Sequence, residues 1–423
     1  MTKPTRQGIK VAIIGGGPSG LSAAIELSRL GFVDWHLYEQ KPAISEIGTG
    51  ITLQNNTWLH LERLGASKHL QSNDFFRPEN GRSPQYRDGK SGIVIKETHL
   101  PANVPPQRAP CRVHRGRLQK ALLQEVDNSR IRTSKKLKNI KFLDNGKVSL
   151  EFQDNFTDEV DLVVGADGIR SAVREFTFPG YSTSYAGTTG YRAVVRVRDA
   201  EKINGLSKST VFWFGPNGGW LYTTPLDDTD WVVTGRVKED DATDRSTWGR
   251  DVNVSKFREH FKEYCEPVQQ LLSLVKQVKR YDFFSGQRLS SVVSRGAVAL
   301  IGDAAHPLSG AFGAGAAFAL EDSHVLGGAL KWASSTGRGL DDALQLLDSV
   351  RSPHYARLYR TLDEIAEGVA EVTREATSDE EEFRRRVEVV SQIKHSWMYY
   401  HDAAQELENA IRRLDGTRGS SRL

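Results

Sequence analysis

Two kinds of hydrophobic periodicity alternate at the start of the chain. Ile9–Ile14 is an apolar run with β-branched residues, Ser19–Leu30 repeats its apolar positions with a helical period, and Trp35–Glu39 reads as a second strand. Strand, glycine turn, helix and strand make a βαβ unit, which predicts an α/β fold. Asn56–Leu64 and Arg115–Val126 carry helical patterns, and Leu162–Val164 is a short buried strand. From about Gly190 the texture changes: Tyr191–Arg198, Val211–Phe214, Gly219–Thr224 and Trp231–Val237 are strand-like. Turn signals such as Pro216-Asn217-Gly218 and Asp227-Asp228 separate them, as in a mostly antiparallel sheet inserted into the α/β domain. Val298–Ile301 returns to a buried strand and completes the first domain discontinuously. The expected segments are 9–185 and 286–350 for that domain, 186–285 for the inserted sheet and 351–415 for charged C-terminal helices. Leu362, Ile365, Val369 and Val372 recur at helical spacing, a pattern expected of core or a dimer contact rather than a cofactor element.

Composition narrows the function classes. The 423 residues include 57 basic and 53 acidic side chains, a net charge of +4, which is no footprint for nucleic acid or an anionic membrane. Lys135, Lys136 and Lys138, and Arg384 to Arg386, read as solvated faces. No apolar stretch approaches the roughly 20 residues needed to span a bilayer, and the polar Met1–Gly8 segment carries no export signal. Two cysteines, Cys111 and Cys265, are too few for a disulfide framework and have no metal-ligand spacing. These features point to a cytoplasmic protein. The terminal Ser421-Arg422-Leu423 is close to a peroxisomal address, with a chance match at a frayed end as the alternative. No spacing suggests a metal site, and a monomer or homodimer is expected.

The strongest motif is Gly15-Gly16-Gly17-Pro18-Ser19-Gly20 between the first strand and helix. Gly15, Gly17 and Gly20 keep the G-x-G-x-x-G spacing: a tight turn, close approach of backbone to pyrophosphate, and close helix–strand packing. The helix start at Ser19 offers unpaired N–H groups to phosphate. Glu39 ends the next strand, where an acid can bind ribose hydroxyls and disfavours a 2′-phosphate. Two more glycine–aspartate turns follow buried strands: Gly165-Ala166-Asp167-Gly168 and Gly302-Asp303-Ala304-Ala305-His306-Pro307. An Asp there can accept from ribitol hydroxyls; taken singly, either is equally a plain turn residue.

These three ordered motifs resemble the class A, single-component flavoprotein monooxygenases, the family of para-hydroxybenzoate and salicylate hydroxylases. The resemblance runs from Ile9 to about Asp322. It implies a Rossmann-like FAD-binding domain with an inserted substrate sheet. It assigns Gly15, Gly17, Gly20 and Glu39 to the adenosine end of a tightly but non-covalently bound FAD. Arg115, Asp167, Gly168 and Asp303 also fall on the cofactor, with Gly313, Gly315 and Ala316 passing its ring. NADH or NADPH would be a transient reductant, since no second G-x-G-x-x-G follows a strand. Oxygen would be activated at flavin C4a and transferred to a small phenol or phenolic acid. Asn55-Asn56-Thr57-Trp58 and Trp397-Met398-Tyr399-Tyr400-His401-Asp402 look like fungal salicylate-hydroxylase-type members. The chain departs from the family at Gly310, where a proline is usual, and at Gly313-Ala314-Gly315, where many members have Gly-Gln-Gly. Both departures bear on the shape of the pocket beside the flavin. The outcome left open is hydroxylation, decarboxylative hydroxylation or oxidative dearomatisation. The rivals are a flavin reductase and a non-enzymatic binding protein on the same fold.

The inserted sheet supplies the substrate candidates. In Tyr191-Arg192-Ala193-Val194-Val195-Arg196, alternation puts Arg192 and Arg196 on one face and Tyr191 on the other. Trp220, Tyr222 and Thr224 share a face of a neighbouring strand. Arg192 and Tyr222 are the expected catalytic pair, since a cation or hydrogen-bond donor beside a phenol favours the reactive phenolate. The alternative is an exposed arginine beside a packed sheet. His306 and His60 are expected to be structural rather than basic catalysts.

Overall fold

The computed structural model describes residues 8–45, 50–78, 82–99, 104–215, 218–239, 249–307, 313–392 and 396–420. Gly310 and the Ser421–Leu423 tail therefore lie outside the described residues. The central sheet runs in the order Val293–Ser294, Val298–Leu300, Leu162–Gly165, Ile9–Ile14, Val33–Tyr38 and Ile131–Arg132. All its pairings are parallel except the Val293–Ser294 edge. Ile13 sits in register between Leu37 and Val164, and all three are fully buried. Burial on both faces explains why these strands read as apolar runs rather than alternations.

The Pro18–Ser28 helix lies directly on this sheet because Gly20 has no side chain. A Cβ there would come within 1.9 Å of the Gly15 carbonyl oxygen. The Gly315–Ser335 helix packs on the same helix, with Ser22 and Ser323 hydroxyls 2.7 Å apart across the contact.

The second sheet has eight strands: Arg250–Val252, Val278–Gly286, Thr183–Arg196, Asp230–Lys238, Trp220–Pro225, Val211–Phe214, Arg82–Asp88 and Val94–His99. Pairing is antiparallel except between Val211–Phe214 and Arg82–Asp88. The last two strands come from far upstream, so the 186–285 span expected from the sequence omits a quarter of the sheet. Their alternation is weak and their pairing non-local, and neither leaves a clear local signature. One face of the sheet packs Tyr191, Trp213 and Trp231 on Phe257 and Phe261. The other face is open and forms one wall of the site described below.

The C-terminal region is helical, as expected: Leu340–Glu375, Asp379–Gln392 and Ala403–Ser420. The first of these continues through Pro353. It is fastened to the α/β domain by Arg351, which is fully buried. Arg351 Nε donates to Asp322 at 2.6 Å, and Nη2 lies 3.0 Å from Glu321. Asp322 also accepts from the Gly302 N–H at 2.8 Å and the Tyr355 hydroxyl at 2.6 Å. Glu321 accepts from Asn56 Nδ2, which reaches on to the Met398 carbonyl. Burial pushes the Glu321 carboxyl up to about 7 against the pull of Arg351.

His354 and His401 stack beside Glu321, and the three could offer ligand atoms within 4.8 Å of one another. No sequence spacing suggested this cluster, because its members are spread over three elements. Its carboxylate also lies against the Arg351 guanidinium and accepts from Asn56.

Removing Arg351 leaves two buried carboxylates without their counter-charge. Arg351→Leu should therefore lose about 3–5 kcal/mol of stability in urea denaturation, and a loss below about 1 kcal/mol would refute the network's role. Burial, with help from Arg351, pulls His401 from 6.5 down to about 4. Such a group binds fewer protons folded than unfolded. Its contribution is complete above pH 6.5 and is lost as pH falls towards 4, by about 2 kcal/mol at pH 5. The stability-versus-pH slope between 6.5 and 5 should be shallower in His401→Gln, and an unchanged slope would reject this assignment.

Candidate active site

A single cavity of about 1420 Å³ runs from the glycine turn of the α/β domain to the open face of the second sheet. That exceeds the roughly 300–1,000 Å³ of an ordinary small-molecule site, leaving room for a dinucleotide and a further ligand. Gly15, Gly17, Ser19, Glu39, Arg115, Asp167, Gly168, Asp303, Gly313, Gly315 and Ala316 all line it, as do Arg192 and Tyr222. Gly20 does not; it serves the helix–strand contact instead.

At the α/β end, Gly15 adopts φ +110° with its missing Cβ aimed at the Ala166 carbonyl, 2.5 Å away. Only glycine fits there. Gly17 caps the Pro18–Ser28 helix without a side-chain hydrogen bond, and the space where its Cβ would stand is open. Glu39 accepts from the Gly16 N–H and the Lys41 N–H, each at 2.8 Å, which fixes its carboxylate at the cavity edge. Gln119, which the sequence reading did not single out, holds the turn from behind by donating to the Gly16 carbonyl at 2.9 Å.

The second and third turns meet through Arg174, a buried residue also absent from the sequence reading. Its guanidinium donates to the Ala304 carbonyl at 2.7 Å and the Ile169 carbonyl at 2.7 Å, tying the Asp167 and Asp303 turns together. Its backbone neighbours carried the motif, but an isolated arginine gives no signal that it is buried. Asp167 caps the short Ala172–Thr177 helix through Ser171 Oγ and the Val173 N–H, so it does the work of a turn residue as well as facing the cavity. Gly168 is at φ +78° with open space beside it, and Gly313 is at φ +62° against Thr52. The Gly315–Ser335 helix starts here, also without a side-chain cap.

Two uncapped helix N-termini thus open on one cavity, with glycine backbone clear of side chains at Gly17 and Gly168. Unpaired N–H groups and helix dipoles suit a pyrophosphate, while the carboxylates suit ribose and ribitol hydroxyls. FAD fits this donor and acceptor set.

At the sheet end, cross-strand register puts Arg192, Thr234, Tyr222, Phe212 and Tyr86 in one row on the cavity face. Arg192 is partly buried and faces the cavity. Among the described residues it makes no hydrogen bond or ion pair, only a ring contact with Tyr281 at 4.9 Å. Burial pulls its pKa down to about 10, and Arg115 and Arg112 add to the effect by like-charge repulsion. Arg112 is a further cavity residue that the sequence reading missed. It donates to Thr52 Oγ1 and lies 5.2 Å from the Tyr222 ring centre. Arg236 also lines the cavity, bonding Thr188 at 3.2 Å and lying over Phe283. Cross-strand neighbours cannot be read from one strand's alternation, which is why these two escaped notice. Arg196 points to solvent and pairs with Asp230, while Tyr191 is buried in the sheet's other face.

His306 is buried against Tyr355, and burial holds its pKa well below the usual value. His60 is buried beside His324. Neither lines the cavity. Leu362, Ile365 and Val369, expected in core or a dimer contact, instead line the cavity on the Leu340–Glu375 helix; Val372 is buried outside it. The helical period was right, but it does not say what the apolar face meets.

A Rossmann-type cavity with this donor set defines a flavin-dependent oxidoreductase. The FAD binding domain family model matches residues 8–361, and the chain belongs to that family. Salicylate hydroxylase of Pseudomonas putida is 26% identical over 99% of this chain and 98% of its own. The 6-methylsalicylate 1-monooxygenase of Aspergillus terreus is 30% identical over 75% of this chain and 74% of its own. A salicylate hydroxylase substrate complex shares the fold with a TM-score of 0.78 at 22% identity, covering 96% of this chain and 98% of that one. The protein is an FAD-dependent monooxygenase of the aromatic hydroxylase type. Among the described residues no helix is long and apolar enough to cross a membrane.

Glu39→Ala would free the Gly16 N–H and remove the acceptor at the adenosine end. FAD affinity should fall about tenfold to a hundredfold, measured by flavin fluorescence on dilution. An unchanged affinity would remove Glu39 from the cofactor site.

Proposed function

We propose that the enzyme hydroxylates a small phenolic acid, with the anionic group of the substrate held by Arg192. The observation that carries this is a partly buried guanidinium facing the cavity with no carboxylate partner among the described residues. A partly desolvated cation with no acidic partner favours an anionic ligand, which supplies the missing charge. Bound FAD would supply reduction by NAD(P)H and activation of O2 for transfer of one oxygen atom to the ring.

The chain's own groups then do three things. Arg192, with the field of Arg112 and Arg115 behind it, favours the phenolate over the phenol and so makes the ring more electron-rich. Burial raises the Tyr222 pKa, so its hydroxyl stays protonated and can donate to a substrate oxygen. Phe212, Phe283 and the ring of Tyr222 give the ring an apolar wall that keeps water away from the reacting carbon. Asp167 and Asp303 would hold the cofactor's ribitol side, and Glu39 its adenosine ribose. The names of the salicylate-type relatives support a hydroxybenzoate ring; their carboxylate is the anion Arg192 would meet.

The test is NAD(P)H oxidation against a panel of salicylates, resorcylic acids and neutral phenols, with products weighed by mass spectrometry. One oxygen gained per NAD(P)H consumed is the expected result, and loss of CO2 would place the reaction in the decarboxylative branch. NAD(P)H oxidation yielding only hydrogen peroxide with every phenolic acid would overturn the proposal. Arg192→Met should lower kcat/KM for the acid at least about 30-fold while leaving a neutral phenol much less affected. Equal losses for both would show that Arg192 does not read the anion.

A further inference from the structure

We infer that the preferred substrate carries an apolar extension on its ring, a chain or second ring about 10 Å long, seated between the second sheet and the Leu340–Glu375 helix. This rests on the phenolic-acid reading above and goes beyond it. The register row places Arg192 and Tyr222 two strands apart, about 10 Å at the usual strand spacing, which a single carboxylated ring spans. The row does not end there. It continues through Phe212 to Tyr86, two strands and about 10 Å further.

This second half of the floor is aromatic: Phe212 packs 4.8 Å from the Tyr222 ring and stacks 5.6 Å from Tyr86. All three side chains line the cavity. A small hydroxybenzoate at Arg192 would leave Phe212 facing the rest of the cavity, while Tyr86, itself buried against Phe383 and Val387, closes the far end of the row.

The opposite wall makes the same demand. Leu362, Ile365 and Val369 form one stripe on the C-terminal half of the helix, whose N-terminal half buries its own apolar residues in the core, and the stripe faces the cavity while remaining partly exposed. A helix stripe that packs on protein is buried by that contact; this one is covered only when the cavity holds something apolar. The aromatic floor and the aliphatic stripe line the same cavity. A ligand that fills it with hydrocarbon removes both from water. Arg192 stands at the opposite end of the row with Arg112 and Arg115 behind it, whereas Arg386 beside Phe214 is already taken by Glu382 and the Gly215 carbonyl, so the ligand is amphipathic: acid head, apolar tail. A tail of this reach is roughly seven carbons at the ~1.5 Å of a C–C bond, or one further ring.

The experiment is calorimetric titration of the oxidised FAD-loaded enzyme, without NAD(P)H, so binding is read apart from chemistry. The ligands are 2-hydroxybenzoates bearing linear chains of one, three, five and seven carbons, or a phenyl group, at each open ring position. A parallel series of alkylphenols lacks the carboxylate. For at least one ring position Kd should fall about twofold to fourfold per methylene, the upper figure corresponding to about 0.8 kcal/mol. A gain with chains but not with phenyl would assign the space to an acyclic tail, and the reverse to a second ring. Val369→Trp and, independently, Ile365→Trp should abolish the chain-length dependence while unsubstituted salicylate binds as before.

A Kd that is flat or rises with chain length in both series, at every position, overturns the extension. Chain-length dependence with no advantage from the carboxylate instead overturns the anion reading and leaves the extension standing.

Discussion

Everything at the site depends on one buried charge cluster. Asp322 accepts from the Gly302 N–H, the Tyr355 hydroxyl and the Arg351 guanidinium. It therefore joins three things that must be in register: the turn carrying Asp303, the helix behind that turn, and the long C-terminal helix that walls the cavity. Glu321, the preceding residue, extends the same cluster to Asn56, which reaches on to the Met398 carbonyl. Charges this deep are tolerated only when paired and hydrogen-bonded. Their geometry is correspondingly restrictive: a displaced helix would leave a carboxylate or guanidinium uncompensated. Apolar packing alone could slide by a fraction of a turn; this cluster cannot.

The two halves of the cavity use opposite physics. At the α/β end the backbone does the work, through glycines at positive φ, uncapped helix starts and carboxylates held by main-chain N–H groups. Arg174 keeps two of the turns at fixed separation by bonding their carbonyls, so it positions the site without facing the ligand. At the sheet end side chains do the work, and Arg192 there has no acidic partner among the described residues. That asymmetry suits a cofactor common to many enzymes beside a substrate that distinguishes one enzyme from another.

Much of the fold was legible early. The βαβ opening, the buried strand at Leu162 and the return at Val298 are local patterns, and each became a strand of the central parallel sheet. The glycine turn at the α/β end of the cavity was equally legible, because such a turn works through its own backbone and a motif of six residues contains nearly all of it. Arg192 and Tyr222 could be singled out from alternation within their strands. Arg112, Arg174 and Arg236 could not, since nothing within a few residues of each marks it as buried or facing a cavity. Arg82–Asp88 and Val94–His99 joined the second sheet across more than a hundred residues of chain, a pairing with no local trace.

The apolar period of Leu362, Ile365 and Val369 shows the division most clearly. By itself the sequence determined that these residues form one face of a helix, because 3.6 residues per turn is a property of the backbone. It also determined the glycine turn that opens the α/β domain, and the motifs around it pointed to the class of cofactor. Only the tertiary structure decided what the helical face meets, which arginines share a cavity, and which carboxylates are claimed by Arg351. Those outcomes depend on distances between segments remote in the chain, and charge pairing and burial are set by such distances rather than by neighbours in sequence.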